Sequence, residues 1–185
     1  WETDHFINKN QVHRSLLLKL SGLGIIVVLF FVIQTVRWSG ETGAKKAHDR
    51  FIQYLSDRRW TKCSRMISEL YTDQWKFDRN DLSMALRDFG RHFYITLGID
   101  WKTLSTAQTR KSYGIIGTMK IDGSGSPAAD YIIKETRQYL IDSFTFNWSR
   151  SGILPWSWKL ESIKHPSIKV PADYVPGNRS HSFKW

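Results

Sequence analysis

The chain has 185 residues, with 27 Lys and Arg against 17 Asp and Glu, a formal net charge of +10 and 14% aromatic residues. So many aromatics exclude an intrinsically disordered chain, and one cysteine, Cys63, excludes an intrachain disulfide or a cysteine zinc site. The basic surplus is scattered, with no helix-turn-helix, zinc or glycine-aromatic RNA pattern beside it, so nucleic acid is not an expected partner.

Residues 1–14 read as a short polar tail and residues 15–38 as a transmembrane helix. From Leu16 to Val36 the chain holds fifteen Leu, Ile, Val or Phe side chains, and about 20 such residues cross a hydrocarbon core of about 30 Å. Leu20, Ile25, Val28, Phe31 and Val36 represent the lipid-facing run. Lys19 can carry its ammonium back to the headgroups, while Arg37 and Trp38 close the other boundary with a charge and an interfacial aromatic. A cleaved signal peptide would need a shorter apolar region and a small-residue cleavage site, which Arg37 and Trp38 interrupt. Counting Lys9, Arg14 and Lys19 before the helix against Arg37, Lys45, Lys46 and Arg50 after it favours a cytoplasmic C-terminal side. Long domains translocate largely regardless of charge, however, and the layout of an uncleaved signal anchor puts the tail inside and the domain outside.

Residues 39–44 form a linker and residues 45–165 a single soluble domain of ordinary size. Ala47, Phe51, Tyr54, Leu55, Met66, Ile67 and Leu70 recur at helical spacing, with a break at Ser56 to Trp60, which predicts two helices or one bent one. Within this stretch Arg58, Arg59, Lys62 and Arg65 are either a solvated helix face or a site for anionic lipid headgroups. A further helix is predicted from Asp81 to Phe93, with Asn80 as its N-cap.

After Tyr94 the period drops to two. Ile95 to Trp101 and Ser112 to Ile121 read as strands, Asp122 to Pro127 as a loop, and Tyr131 to Trp148 as one long strand whose parity slips between Ile133 and Leu140, where a bulge would fit. Trp156, Trp158 and Leu160 alternate along a fourth strand. The fold class is therefore α+β: an N-terminal transmembrane helix, then helices packed on a curved antiparallel four-stranded meander. Residues 166–185, with Pro171, Pro176 and Gly177, form an extended C-terminal tail.

The order of helices followed by four strands, ending in Trp158, Leu160 and Ile163 as Trp-x-Leu-x-x-Ile, resembles the nuclear-transport-factor-2-like superfamily, whose domains are cone-shaped. The layout of an anchor before such a domain is similar to that of the inner-membrane assembly factors of bacterial type IV secretion. That resemblance implies a bacterial inner (cytoplasmic) membrane protein with a periplasmic domain. Enzymes of the superfamily, the ketosteroid isomerase and dehydratase types, use an Asp or His inside the cone, often with a Tyr donor. It implies as catalytic candidates Asp142, Tyr113 and Asp100, with His92 and Tyr94 behind them, and a carboxyl such as Asp142 in an apolar pocket is tunable as a base.

None of these residues sits in a recognisable catalytic motif. The histidines lack paired metal-ligand spacing and the glycine runs lack a phosphate-loop setting, so no catalytic role, metal or cofactor is expected. The nine Trp suggest interface anchors, with Trp60, Trp75, Trp101, Trp148, Trp156 and Trp185 as partner-contact candidates. The expected function is that of a non-catalytic structural or assembly subunit of a larger bacterial membrane complex, energy-transducing (respiratory or photosynthetic) or secretory. Its expected partners are the other subunits and the lipid bilayer. A ligand-binding or isomerase/dehydratase-like cone and an anionic-lipid surface binder are the alternatives.

Overall fold

The computed structural model describes residue 19 and residues 23–109, 112–137, 140–170 and 174–177. Leu20, Trp185, the residues 1–14 tail and the whole residues 178–185 end lie outside the described residues. The chain divides into two compact units, Trp1–Arg37 and Trp38–Trp185.

The first unit contributes helix α1, Leu23–Arg37. Its apolar side chains are exposed all round, Ile25, Val28, Phe31 and Val36 among them, and the Thr35 hydroxyl donates to the Phe31 carbonyl within the helix. No single helix among the described residues is long and apolar enough to cross a membrane, although α1 and the next helix meet the length and composition requirement as a broken pair. At about 1.5 Å per residue α1 extends about 22 Å, so the expected span of residues 15–38 is unconfirmed.

The second unit is α+β. Helices α2 (Gly40–Ser56), α3 (Trp60–Met66) and α4 (Arg79–His92) come first, then strands β1 (Thr96–Gln108) and β2 (Ser112–Ser124), helix α5 (Pro127–Thr136), and strands β3 (Phe144–Arg150) and β4 (Trp158–Lys164). The four strands pair antiparallel in the order β1-β2-β3-β4. Alternation sets the inner face: Ile115 stands opposite Phe146 and Trp148 opposite Leu160. α2 lies across all four strands and buries Ala44, Ala47, His48, Phe51, Ile52 and Leu55 against them. The apolar face of α2 is therefore spent on the sheet, which is the ordinary fate of an amphipathic helix.

Both sheet edges are treated differently. β4 is covered by the chain after α3, where Ser68 N–H donates to the Leu160 carbonyl at 2.9 Å and Thr72 N–H to that of Glu161 at 3.1 Å. β1 is the other edge, bulged at Leu104 between Thr103 and Ser105. A second register shift, at Asn147/Trp148, skips Glu161. This bulge lets Leu160 and Ile163, three apart, both face the core. It is the physical meaning of the Trp-x-Leu-x-x-Ile spacing.

Three expectations are corrected. The N-cap of α4 is Asp78, not Asn80: its carboxylate accepts from the Asn80 and Asp81 amides, and Asp81 returns the bond to complete a capping box. The segment expected as one long strand from Tyr131 is divided between α5 and β3. Pro127 at the first turn favours helix there, and Ala129 and Ile133, four apart, pack on Phe93 as a small separate cluster. The parity slip marked the change from helix to strand, not a bulge.

Candidate functional site

The concave face of the sheet and the helices over it enclose an apolar pocket of about 230 Å³. Phe51 and Leu55 from α2, Trp60 from α3, Leu86 and Phe89 from α4, and Ile99, Met119, Ile121, Phe144, Phe146 and Ile163 from the strands form its wall. Among the described residues none that lines it carries an ionisable group, and the one hydroxyl among them, on Thr136, donates to the Ile132 carbonyl at 2.6 Å. Trp75, which closes one side with Ile168, spends its indole N–H on the Ile168 carbonyl at 2.9 Å. The wall therefore offers shape and dispersion contacts, with the polar hydrogens of Thr136 and Trp75 already engaged.

The C-terminal segment helps to shut this pocket. His165 is fully buried against Phe144, with ring centroids 4.2 Å apart. Its Nδ1 accepts from the Ser167 and Ile168 amides at 3.2 and 3.1 Å, which places the ring proton on Nε2. The Ser167 hydroxyl donates to Asp142. Farther on, Tyr174 stacks on Phe77, with centroids 6.2 Å apart, and the Gly177 amide donates to Asp88 at 2.7 Å. The segment expected as an extended tail is, over residues 166–170 and 174–177, laid on α4 and the loop before it.

Within the cone, among the described residues, some buried polar atoms have no such partner. His48 is fully buried beneath Trp101, Phe146 and Trp148, at centroid distances of 4.4, 4.9 and 6.1 Å. Among the described residues neither of its ring nitrogens has a hydrogen-bond partner, nor has Trp148 Nε1. Burial pushes its pKa down to about 3 and keeps the ring neutral. His48 does not line the pocket. Its place in the apolar series Ala44, Ala47, His48, Phe51 was the sequence signal that could have singled it out.

The catalytic candidates are dispersed. Asp142 holds Ser167, Tyr113 packs on Trp158 with centroids 5.8 Å apart, and Asp100 stands exposed on β1 opposite Lys120. His92 Nδ1 bonds the Ser126 hydroxyl at 3.2 Å, joining the end of α4 to the start of α5, and Tyr94 is exposed. None of these five lines the apolar pocket.

The tryptophans divide similarly. Trp148, with no exposed surface, is core and cannot be a partner contact. Trp60 lines the pocket and packs on Gly90 so closely that a Cβ there would stand 2.1 Å from its ring. Trp101 faces inward, whereas Trp156 is exposed.

Of the basic group, Arg58 donates to the Phe93 and Tyr94 carbonyls at 2.9 and 2.7 Å, Arg59 pairs with Asp57 at 3.3 Å, and Lys62 lies 5.2 Å over the Tyr54 ring. Arg65 is exposed. Arg58 and Arg59 follow the C-terminal end of α2, a helix of 17 residues, so about 25 Å of helix separates them from its start beside Trp38. Beside Trp38 the cations are Lys46 and Arg50, whose charged groups lie 5.6 and 4.9 Å from the ring centroid.

No family model and no curated protein matches the sequence. Among solved structures, Bd1075 of Bdellovibrio bacteriovorus is similar with a TM-score of 0.50 and 7% identity, over 75% of this chain and 41% of that one. A scytalone dehydratase-like protein of Novosphingobium aromaticivorans has a TM-score of 0.50 and 8% identity, over 73% of this chain and 91% of that one. An NTF2-like protein of unknown function from Pseudomonas putida has a TM-score of 0.48 and 9% identity, over 66% of this chain and 82% of that one. The fold is NTF2-like. The chain spans less than half the length of the Bdellovibrio protein, and at these identities the likeness concerns the fold alone.

Proposed function

We propose that the NTF2-like domain is a non-catalytic binding cone for a small apolar molecule or apolar moiety. The observation that carries this reading is the pocket of about 230 Å³, lined among the described residues without an ionisable group. Acid–base chemistry needs a titratable side chain within hydrogen-bond reach of the reacting atom; Asp142, Tyr113 and Asp100 stand outside the wall, and the buried His48 is neutral and enclosed by rings. A pocket so lined selects its ligand by size and apolar fit. Titration of the full chain with naphthalene tests the reading. Saturable binding that Leu86→Trp abolishes supports it; turnover of a substrate lost in Asp142→Asn with folding intact contradicts it.

A second observation favours a membrane role. The apolar side chains of α1 are exposed around the helix, and such a surface is covered by lipid or by other helices. On this reading residues 15–38 anchor the chain in a bacterial inner membrane, with the cone on the periplasmic side as an accessory subunit of a membrane assembly. Mild-detergent purification from native membranes tests it: stoichiometric co-purification with defined membrane subunits supports the subunit role, and a lone monodisperse chain contradicts it.

A further inference from the structure

The β3–β4 connection, residues 151–157, is closed by its own hydrogen bonds yet presents apolar side chains outward. Ser151 N–H donates to the Ser157 carbonyl at 2.7 Å, the Ser157 hydroxyl to that of Leu154 at 2.6 Å, and the Arg150 guanidinium to that of Ile153 at 3.1 Å. Gly152 takes the left-handed conformation at φ +91 that the reversal requires. On this ordered tip Ile153 is 95% exposed, Leu154 45% and Trp156 38%. An apolar cluster held out on a fixed loop is a contact surface.

Its place in the fold names the partner. The base of the tip is tied to Trp38, because the Trp158 indole N–H donates to the Trp38 carbonyl at 3.1 Å. Trp38 is the residue that follows the apolar helix α1 in the chain, and Lys46 and Arg50 flank its ring. One end of the cone thus gathers an exposed Ile-Leu-Trp tip, a second half-buried Trp, and the cations of Lys46, Arg50 and Arg150. Trp at the headgroup level, aliphatics below it and basic groups on the phosphates is the composition of a bilayer interface.

We propose that the β3–β4 tip is a second membrane contact: Ile153, Leu154 and Trp156 enter the interfacial layer of a bilayer bearing anionic headgroups, and Lys46, Arg50 and Arg150 meet its phosphates. This rests on the reading of α1 as a membrane segment and adds that the cone docks on the surface by this end. The contact fixes the orientation of the cone over the membrane and holds its opposite end, with residues 140–142, toward water.

The test uses the full chain in vesicles of phosphatidylcholine and phosphatidylglycerol, with a fluorophore on Ile153→Cys or, separately, on Ile141→Cys. Both positions are exposed, so labelling leaves the core intact, and Cys63 is buried. The two sites lie at opposite ends of β3, about 23 Å of strand apart. The expected result is that the label at 153 is quenched by nitroxide-bearing lipid and shielded from iodide, the label at 141 behaves oppositely, and Lys46→Glu with Arg50→Glu reduces the lipid quenching at 153. Equal iodide quenching at both sites in protein that floats with the vesicles overturns the proposal alone. Protein that does not float with the vesicles overturns the reading of α1 and the proposal with it.

Discussion

The Trp158 indole N–H donates to the carbonyl oxygen of Trp38 across 3.1 Å, and Gly43 makes the approach possible. A Cβ at Gly43 would stand 2.1 Å from that oxygen and 2.6 Å from Trp158 Nε1. In this one contact the start of α2, the start of β4 and the end of the cone beside Trp38 are joined.

Gly43→Ala tests how tightly they are joined. Helix propensity alone favours Ala by about 1 kcal/mol, whereas overpacking costs about 1 to 3 kcal/mol. The clash is with backbone and wins, so Gly43→Ala lowers stability in urea unfolding. Trp158→Phe, which loses the hydrogen bond and part of the ring buried against Tyr113, costs more than the bond alone, which is worth about 1 kcal/mol.

His48 gives the domain an acid-sensitive core. Its folded pKa, pushed down to about 3 by burial, lies below the ordinary value of 6.5. Between those values the unfolded chain binds the proton that the folded chain refuses. Stability is thus full above about pH 6.5 and falls by up to about 1.4 kcal/mol per unit as pH drops toward 3. His48→Phe removes this dependence, seen as a flatter plot of unfolding free energy against pH over that window.

Asp142 and Ser167 act as a latch between the α5–β3 connection and the C-terminal segment. Asp142→Ala and Ser167→Ala each cost about 1.5 to 3 kcal/mol as the loss of a hydrogen bond to a charged group. The double variant costs little more than either single one, because both remove the same bond. Proteolysis after residue 165 should be faster in all three.

Periodicity revealed much of this architecture. The stripe of Ala47, Phe51 and Leu55 announced α2, and the alternation in Ser112 to Ile121 announced β2, because each element buries one face and the buried side dictates the pattern. α5 escaped for the complementary reason. It buries little beyond Ala129 and Ile133, so its pattern is short, and its Ile132 and Ile133 pair imitates a strand. The candidate site was harder to see. Asp142 looked like a base in an apolar run, but its partner Ser167 lies 25 residues away, and only the fold reveals that the carboxylate secures a strap. Trp148 and Trp156, eight residues apart in one hairpin, have similar local sequence but opposite exposure, since Trp148 points into the sheet's concave face and Trp156 sits on the tip.

Filling the pocket should separate stability from binding. Leu86→Trp adds ring surface to a space walled by Phe89, Ile121 and Phe146, so it leaves the unfolding free energy unchanged or raised by about 1 kcal/mol through added apolar burial. Its expected signature in calorimetry is a retained cooperative transition with no shift on adding naphthalene, where the unaltered protein is stabilised by ligand.

The most direct test of a non-catalytic apolar cone is a methyl-detected NMR titration of the full chain with naphthalene. The account predicts saturable shifts at the Met119, Ile121, Leu140 and Ile163 methyls, absent in Leu86→Trp and unchanged in Asp142→Asn. Shifts confined to exposed residues such as Ile141, or none at all, would contradict it.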